Sequence, residues 1–171
     1  MSGPLPFDPV ERAGDSWAKH YPEAGEAVYA SMRAVTSIMR AQQILIAGLD
    51  ASLKPFGLTF SRYEALVLLT FSSTGALPLS KIGERLQVHA TSVTNVIDRL
   101  EVSGFVEREP NPRDGRGTLA VLTDEGRRVA DAATRQLHKN QFGLQGLSED
   151  DLQRLFATLR RLRIEAGDFS V

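Results

Sequence analysis

The sequence predicts a mainly α-helical chain with a small β-wing, arranged as a winged helix-turn-helix. Three observations predict it. Apolar residues recur at helical spacing over most of the chain. A short helix, a turn and a second helix follow one another between Ser80 and Ser103. The period then switches to two strand-like runs, Phe105–Glu109 and Thr118–Leu122, around a loop that carries two arginines.

The first elements are helices. Asp8 caps the first, Pro9 takes its first turn and Glu11 can reach back to the cap. This helix carries Trp17 and ends near Tyr21. Pro22 is read as opening a second, longer helix. Val28, Met32, Val35, Met39, Gln42, Ile46, Leu49 and Leu53 alternate at four and three residues, a heptad-like seam with one polar break. Ile38 and Leu45 widen its apolar face. About 30 residues of helix span about 45 Å, which exceeds what a chain of this length usually covers alone, so part of the stripe is expected to face a second chain. Pro55 and Gly57 stop the helix.

Ser61 to Glu64 reads as a capping box for a helix through Phe71. Residues 72–75 form a loop, and Ser80 caps the short helix Lys81–Leu86. After a turn at 87–89, the next helix runs from Ala90 to Ser103, with Gly104 suited to a left-handed cap. Residues 110–117 hold two prolines and two glycines, which suits a loop. Eight residues is long for a hairpin connection, and two arginines at its tip suggest use. Thr123 caps a helix to Gln141. Ser148 to Asp151 is capping-box-like, with Leu147 and Leu152 placed as a staple. The last helix carries Leu152, Leu155, Phe156, Leu159 and Leu162 on one side.

Composition bounds the function. The length of 171 residues fits about one domain. The net charge of −1, from 20 basic and 21 acidic residues, excludes a histone-like polycation but leaves room for a local patch. The absence of cysteine excludes disulfides, thiolate metal sites and cysteine redox sensing. His20, His89 and His138 are scattered, without the spacing of a zinc site. No cofactor is expected. The start of the chain lacks a signal-peptide pattern, and apolar runs such as Ala65–Leu69 fall far short of the ~20 residues that cross a membrane. A cytoplasmic protein without a membrane partner is expected.

The helix Ala90–Ser103 carries the functional signal. On a wheel of 100° per residue, Val93, Val96, Ile97 and Leu100 share one face. Thr91, Ser92, Asn95, Asp98, Arg99 and Val102 fall opposite. Short polar side chains on the first turns permit close approach to a major groove and supply donors and acceptors for base edges. Ser, Thr and Asn also simply favour helix starts and solvent. In the loop, Arg113, Asp114 and Arg116 suit a minor groove, where guanidinium is drawn between phosphate walls. An ordinary Asp-Gly turn is the alternative. Between Ser80 and Gly117 six basic residues meet six acidic ones. Binding to double-stranded DNA must therefore rest on how charges sort between faces, and on two copies acting together.

From roughly Glu23 to Gly167 the chain resembles the MarR family (multiple antibiotic resistance regulators) of bacterial transcription factors. The helix-turn-helix from Leu79, the Asp-x-Arg wing at Asp114 and Arg116, and the Leu-Thr-x-Glu-Gly run ending at Gly126 match in order and spacing. The resemblance implies a homodimer, dimerising through its N- and C-terminal helices, whose paired recognition helices bind a pseudo-palindrome, often as a repressor released by a small-molecule effector. By position, DNA contacts fall to Thr91, Ser92, Thr94, Asn95 and Arg99, with Ser80 and His89 near phosphates and Arg113, Asp114 and Arg116 in the wing. It also implies an organisation of residues 1–22 as an N-terminal extension, 57–122 as the DNA-binding region, and 23–56 with 123–171 as the dimerisation region.

The extra N-terminal helix with Trp17 is similar to the branch that responds to urate or related carboxylates. Its effector residues would map to Trp17, Glu64 and Arg108, with Tyr63 beside them. Val96 stands where that branch has a second arginine, which departs from the urate pattern. Plainer roles exist: Glu64 completing the capping box, Trp17 pinning the first helix, Arg108 bracing the wing. The competing function is a winged-helix module that docks a protein partner and shows no salt-dependent DNA binding. An enzyme is not expected, because no nucleophile–base pair, phosphate loop or metal cluster is visible.

Overall fold

Among the described residues, helical periodicity in the sequence becomes seven α-helices: α1 (Pro9–His20), α2 (Glu26–Leu53), α3 (Phe60–Thr70), α4 (Leu79–Leu86), α5 (Ala90–Val102), α6 (Asp124–Lys139) and α7 (Glu149–Glu165). Three strands accompany them: β1 (Ala76–Pro78), β2 (Val106–Pro110) and β3 (Thr118–Leu122). The computed structural model describes residues 3–112, 114 and 117–170. They form two compact units that divide between Gly48 and Leu49. Among the described residues no helix is long and apolar enough to cross a membrane.

In the first unit, the Asp8 carboxylate accepts the Val10 N–H at 2.8 Å and the Glu11 N–H at 3.4 Å, and Pro9 fills the first turn. This satisfies two of the donors that a helix start leaves orphaned. Pro22 does not open α2. The chain makes a turn first, in which the Ala24 N–H donates to the Tyr21 carbonyl, and α2 begins at Glu26 after Gly25. Buried Tyr29 fixes this turn by donating its hydroxyl to the Tyr21 carbonyl at 2.7 Å. The outer seam of α2 stays open: Val28, Val35, Met39 and Ile46 are 42% to 57% exposed.

The second unit owns the main core. Leu53, Leu66, Leu69, Ile82, Ile97, Leu100 and Leu137 are essentially without solvent contact. The strands form an antiparallel sheet in the order β1-β3-β2, with Ala76 opposite Val121 and Val106 opposite Leu122. β1 is three residues long and ends in proline, too short to show a period, so the sequence predicts no strand there.

Two predicted caps are corrected. α3 starts at Phe60 with Thr59 as its cap residue, so Ser61 lies inside the helix and cannot cap it. The Phe60 N–H is instead satisfied by the Asp50 carboxylate at 2.7 Å. α4 starts at Leu79 behind Pro78, so Ser80 is likewise within the first turn. The caps at Thr123 and Ser148 are present as read from the sequence, the second as a full capping box.

The start of α6 is locked to the end of α5. The Thr123 hydroxyl accepts the Gly126 N–H at 2.9 Å and donates to the Gly104 carbonyl at 2.8 Å, while the Thr123 N–H donates to the Phe105 carbonyl at 3.1 Å. Gly126 is there because a Cβ would sit 2.0 Å from the Phe105 carbonyl oxygen. Gly104 takes the left-handed conformation at φ 73°, which ends α5 and turns the chain into β2. Gly126→Ala is therefore expected to cost at least about 2 kcal/mol of unfolding free energy in urea titration, through backbone displacement. Gly48→Ala, in mid-helix with nothing near its Cβ, is expected to stabilise by up to about 1 kcal/mol.

Candidate nucleic-acid interface

α4 and α5 are joined by a turn in which Gln87 adopts the left-handed region and its N–H closes on the Gly83 carbonyl. Gly83 lets the helices approach: its Cβ position is 3.2 Å from a Val93 methyl. α5 is anchored by one stripe, Val93, Ile97 and Leu100, each at most 2% exposed. Val96 is half-buried at its margin. Thr91, Ser92, Asn95, Asp98, Arg99 and Val102 are all exposed, as the wheel predicts, and so is Thr94.

His89 caps α5, its Nδ1 accepting the Thr91 N–H at 3.3 Å. The Thr94 hydroxyl donates back to the Ala90 carbonyl. Ser80 is exposed on the first turn of α4, beside a groove that also touches Ala90 and Thr94. In the wing, the Asp114 N–H donates to the Asn111 carbonyl at 3.2 Å and the Gly117 N–H to the Asp114 carbonyl at 2.8 Å. Arg113 and Arg116 lie outside the described residues.

Arg108 on β2 decides the electrostatics. Its guanidinium lies 2.6 Å from both the Asp98 and the Glu101 carboxylates and reaches the Thr94 carbonyl at 3.4 Å. Burial works against its charge, but the hydrogen bonds to the two acids outweigh it and raise its pKa above the ordinary value. Lys81 similarly pairs with Glu84 at 2.6 Å. The acids on α4 and α5 are thus matched within the fold. Arg62, Arg85 and Arg99 have no ion-pair partner among the described residues.

A separate cavity of about 480 Å³ opens in the second unit between α3 and α6. Tyr63 and Glu64 line it. Tyr63 is buried, its hydroxyl 3.0 Å from that of Thr134. Partial burial holds the Glu64 carboxyl above its ordinary pKa. Glu64 also lines a second cavity of about 370 Å³ beneath α5, with Ser92, Val93 and Asn95. Arg108 lines neither. Trp17 belongs to the first unit, where it is 43% exposed with its ring 5.2 Å from that of Tyr21.

Comparison with known proteins places this geometry. The MarR family model matches residues 60–118. The HTH-type transcriptional regulator YkoM of Bacillus subtilis (strain 168) is 35% identical over 109 residues, covering 63% of this chain and 70% of that protein. The crystal structure of Sco5413, a MarR family transcriptional regulator from Streptomyces coelicolor, is 60% identical with a TM-score of 0.77, covering 83% and 99% of the two chains. The chain belongs to the MarR family. Sco3205, a MarR family transcriptional regulator from the same organism, was solved in complex with DNA; it is 27% identical, with a TM-score of 0.68, covering 78% of this chain and 86% of its own. The winged helix-turn-helix is thus that of MarR family transcriptional regulators.

Within this MarR family fold the recognition-helix candidates gather on one face, but the effector candidates do not form one cluster. Tyr63 and Glu64 share a cavity, whereas Arg108 is committed to α5. Sequence reasoning missed Arg62. It lines a groove of about 350 Å³ with Ser61, Asn95 and Arg99, and so adds a second guanidinium beside the α5 face. Its position in an apparent capping box hid it.

The Glu64 shift has a stability consequence. A carboxyl whose folded pKa is raised contributes stability below its unfolded pKa, and that contribution is lost as pH rises through the folded value. Glu64→Gln is expected to raise the melting temperature at pH 7. The gain should shrink as pH falls through the carboxylate range, as thermal scans at several pH values would test.

Proposed function

We propose that the chain is a homodimeric, sequence-specific DNA-binding regulator acting in the cytoplasm, a repressor of nearby genes that a small-molecule effector releases from a pseudo-palindromic operator. The observation that carries the reading is the α5 face: Thr91, Ser92, Thr94, Asn95 and Arg99 are exposed while Arg108 occupies the neighbouring carboxylates. In this reading those five side chains meet base edges and phosphates of a major groove. Ser80, His89 and Arg62 contact the backbone. Arg113, Asp114 and Arg116 follow a minor groove. The DNA complex of the MarR family relative Sco3205 supports the assignment.

Residues 57–122 then form the DNA-binding region, 23–56 and 123–171 the dimerisation region, and 1–22 an extension. The open seam of α2, with exposed Leu155, Phe156 and Leu162 on α7, supports a helical interface between copies. A dimer would place its recognition helices about 34 Å apart on one face of the duplex. Release requires an effector that prefers the arrangement unable to bind, with Tyr63 and Glu64 as its candidate contacts.

Selection from random duplexes, followed by fluorescence anisotropy across a salt series, tests the reading. Expected is a two-fold symmetric site bound tightly and weakening steeply with salt. Failure to enrich any sequence would overturn it in favour of a protein-docking module. Arg99→Ala is expected to weaken specific binding at least about tenfold and to flatten the salt slope. Arg108→Gln, which exposes two carboxylates at the α5 face, is expected to weaken binding to specific and unrelated duplexes alike. Val35→Asp is expected to give monomers in sedimentation and to lose tight DNA binding with the dimer.

A further inference from the structure

The cavity between α3 and α6 has an unusual charge balance. Phe60, Tyr63, Phe71 and Phe142 give it four aromatic rings. Glu64 on α3 and Asp131 on α6 bring two carboxylates to its lining, which holds no lysine or arginine among the described residues. Neither carboxylate has a hydrogen bond or an ion pair among the described residues. Asp98, Glu101, Glu84, Glu125, Asp150 and Asp168 each hold a basic side chain, while Glu26, Glu107, Glu109 and Glu165, which line no part of this cavity, hold none among the described residues. The remaining titratable groups of the wall are His138, whose ring is 6.0 Å from that of Phe142, and the Tyr63 hydroxyl, held by Thr134.

An anionic ligand entering here would meet two carboxylates and no counter-charge. A neutral one would desolvate them further without pairing them, which costs free energy. A cation with an aromatic body satisfies every part of the wall. Its charge pairs with Glu64 and Asp131, the ring faces attract it, and its apolar surface is buried against the phenyl groups. Of the residues that the family resemblance links to carboxylate effectors, only Tyr63 and Glu64 line this cavity, and Asp131 adds a second negative charge to it. Arg108, the guanidinium that would have received a carboxylate, is engaged by Asp98 and Glu101 and does not line the cavity.

We propose that this cavity binds an amphiphilic aromatic cation, an aryl amine or aryl-alkyl ammonium, through Glu64 and Asp131. The proposal rests on the reading of the cavity as the effector site. Because Glu64 also lines the second cavity beneath α5, a cation bound to it touches a side chain that borders the recognition helix.

The test uses the full chain and three probes that share a 1-naphthylmethyl body and differ in headgroup charge: 1-naphthylmethylammonium, the carboxylate of 1-naphthaleneacetic acid, and 1-naphthylmethanol. Calorimetric titration is expected to give the cation an affinity at least tenfold above the carboxylate, with the alcohol between them. Glu64→Gln and Asp131→Asn each remove one charge without changing shape. Each is expected to weaken the cation at least about fivefold and to leave the carboxylate unchanged or tighter, with melting scans confirming the fold. Equal or tighter binding of the carboxylate would overturn the proposal. So would cation binding that survives the double substitution, or no binding of any probe, the outcome if a second copy of the chain fills the cavity. A separate arm adds the cation to the DNA complex. Cation binding without loss of DNA would leave the site standing and overturn only its reading as the effector site.

Discussion

The second unit depends on the burial of one narrow stripe of α5. Val93, Ile97 and Leu100 hold the helix to the core and leave more than half its circumference in water. Full burial of each such side chain contributes about 1.5–3 kcal/mol, and the pairing of Arg108 with Asp98 and Glu101 adds a second tie between the helix and the sheet. Gly83 allows α4 to close against the same stripe, and Gly104 redirects the chain into the sheet immediately after it. Every polar residue assigned to DNA can then be selected for contact rather than for packing.

Charge is handled by a similar division. A formally neutral DNA-binding segment looks unpromising until its acids are traced to their partners. Asp98 and Glu101 are three residues apart on α5, and the strand that follows the helix returns Arg108 to both. That pairing stitches β2 to α5 while removing negative charge from the helix face. Net charge over a segment is therefore a poor guide here, since what a phosphate meets is the charge left unpaired at the surface.

Much of this was legible in the sequence. The wheel of α5, the caps at Asp8, Thr123 and Ser148, and the breaks at Gly57 and Gly104 all follow from local rules, and the structure obeys them. What was not legible depends on distant partners. Ser61 and Ser80 have the residue type of caps, but Asp50 and Pro78 already define those helix starts. β1 is a strand only because β3 runs beside it. The engagement of Arg108 by α5 requires knowing that β2 folds back, and the sharing of one cavity by Glu64 and Asp131 requires knowing that α6 packs on α3.

The bareness of the outer α5 face has an evolutionary consequence. Thr91, Ser92 and Asn95 carry little of the core's stability, so replacements there fall among the surface changes that usually shift folding by no more than about 0.5 kcal/mol. A duplicated gene could explore new target sequences at these positions while the scaffold stayed above its folding threshold. The architecture separates what the protein reads from what keeps it folded, and so leaves the reading free to diverge.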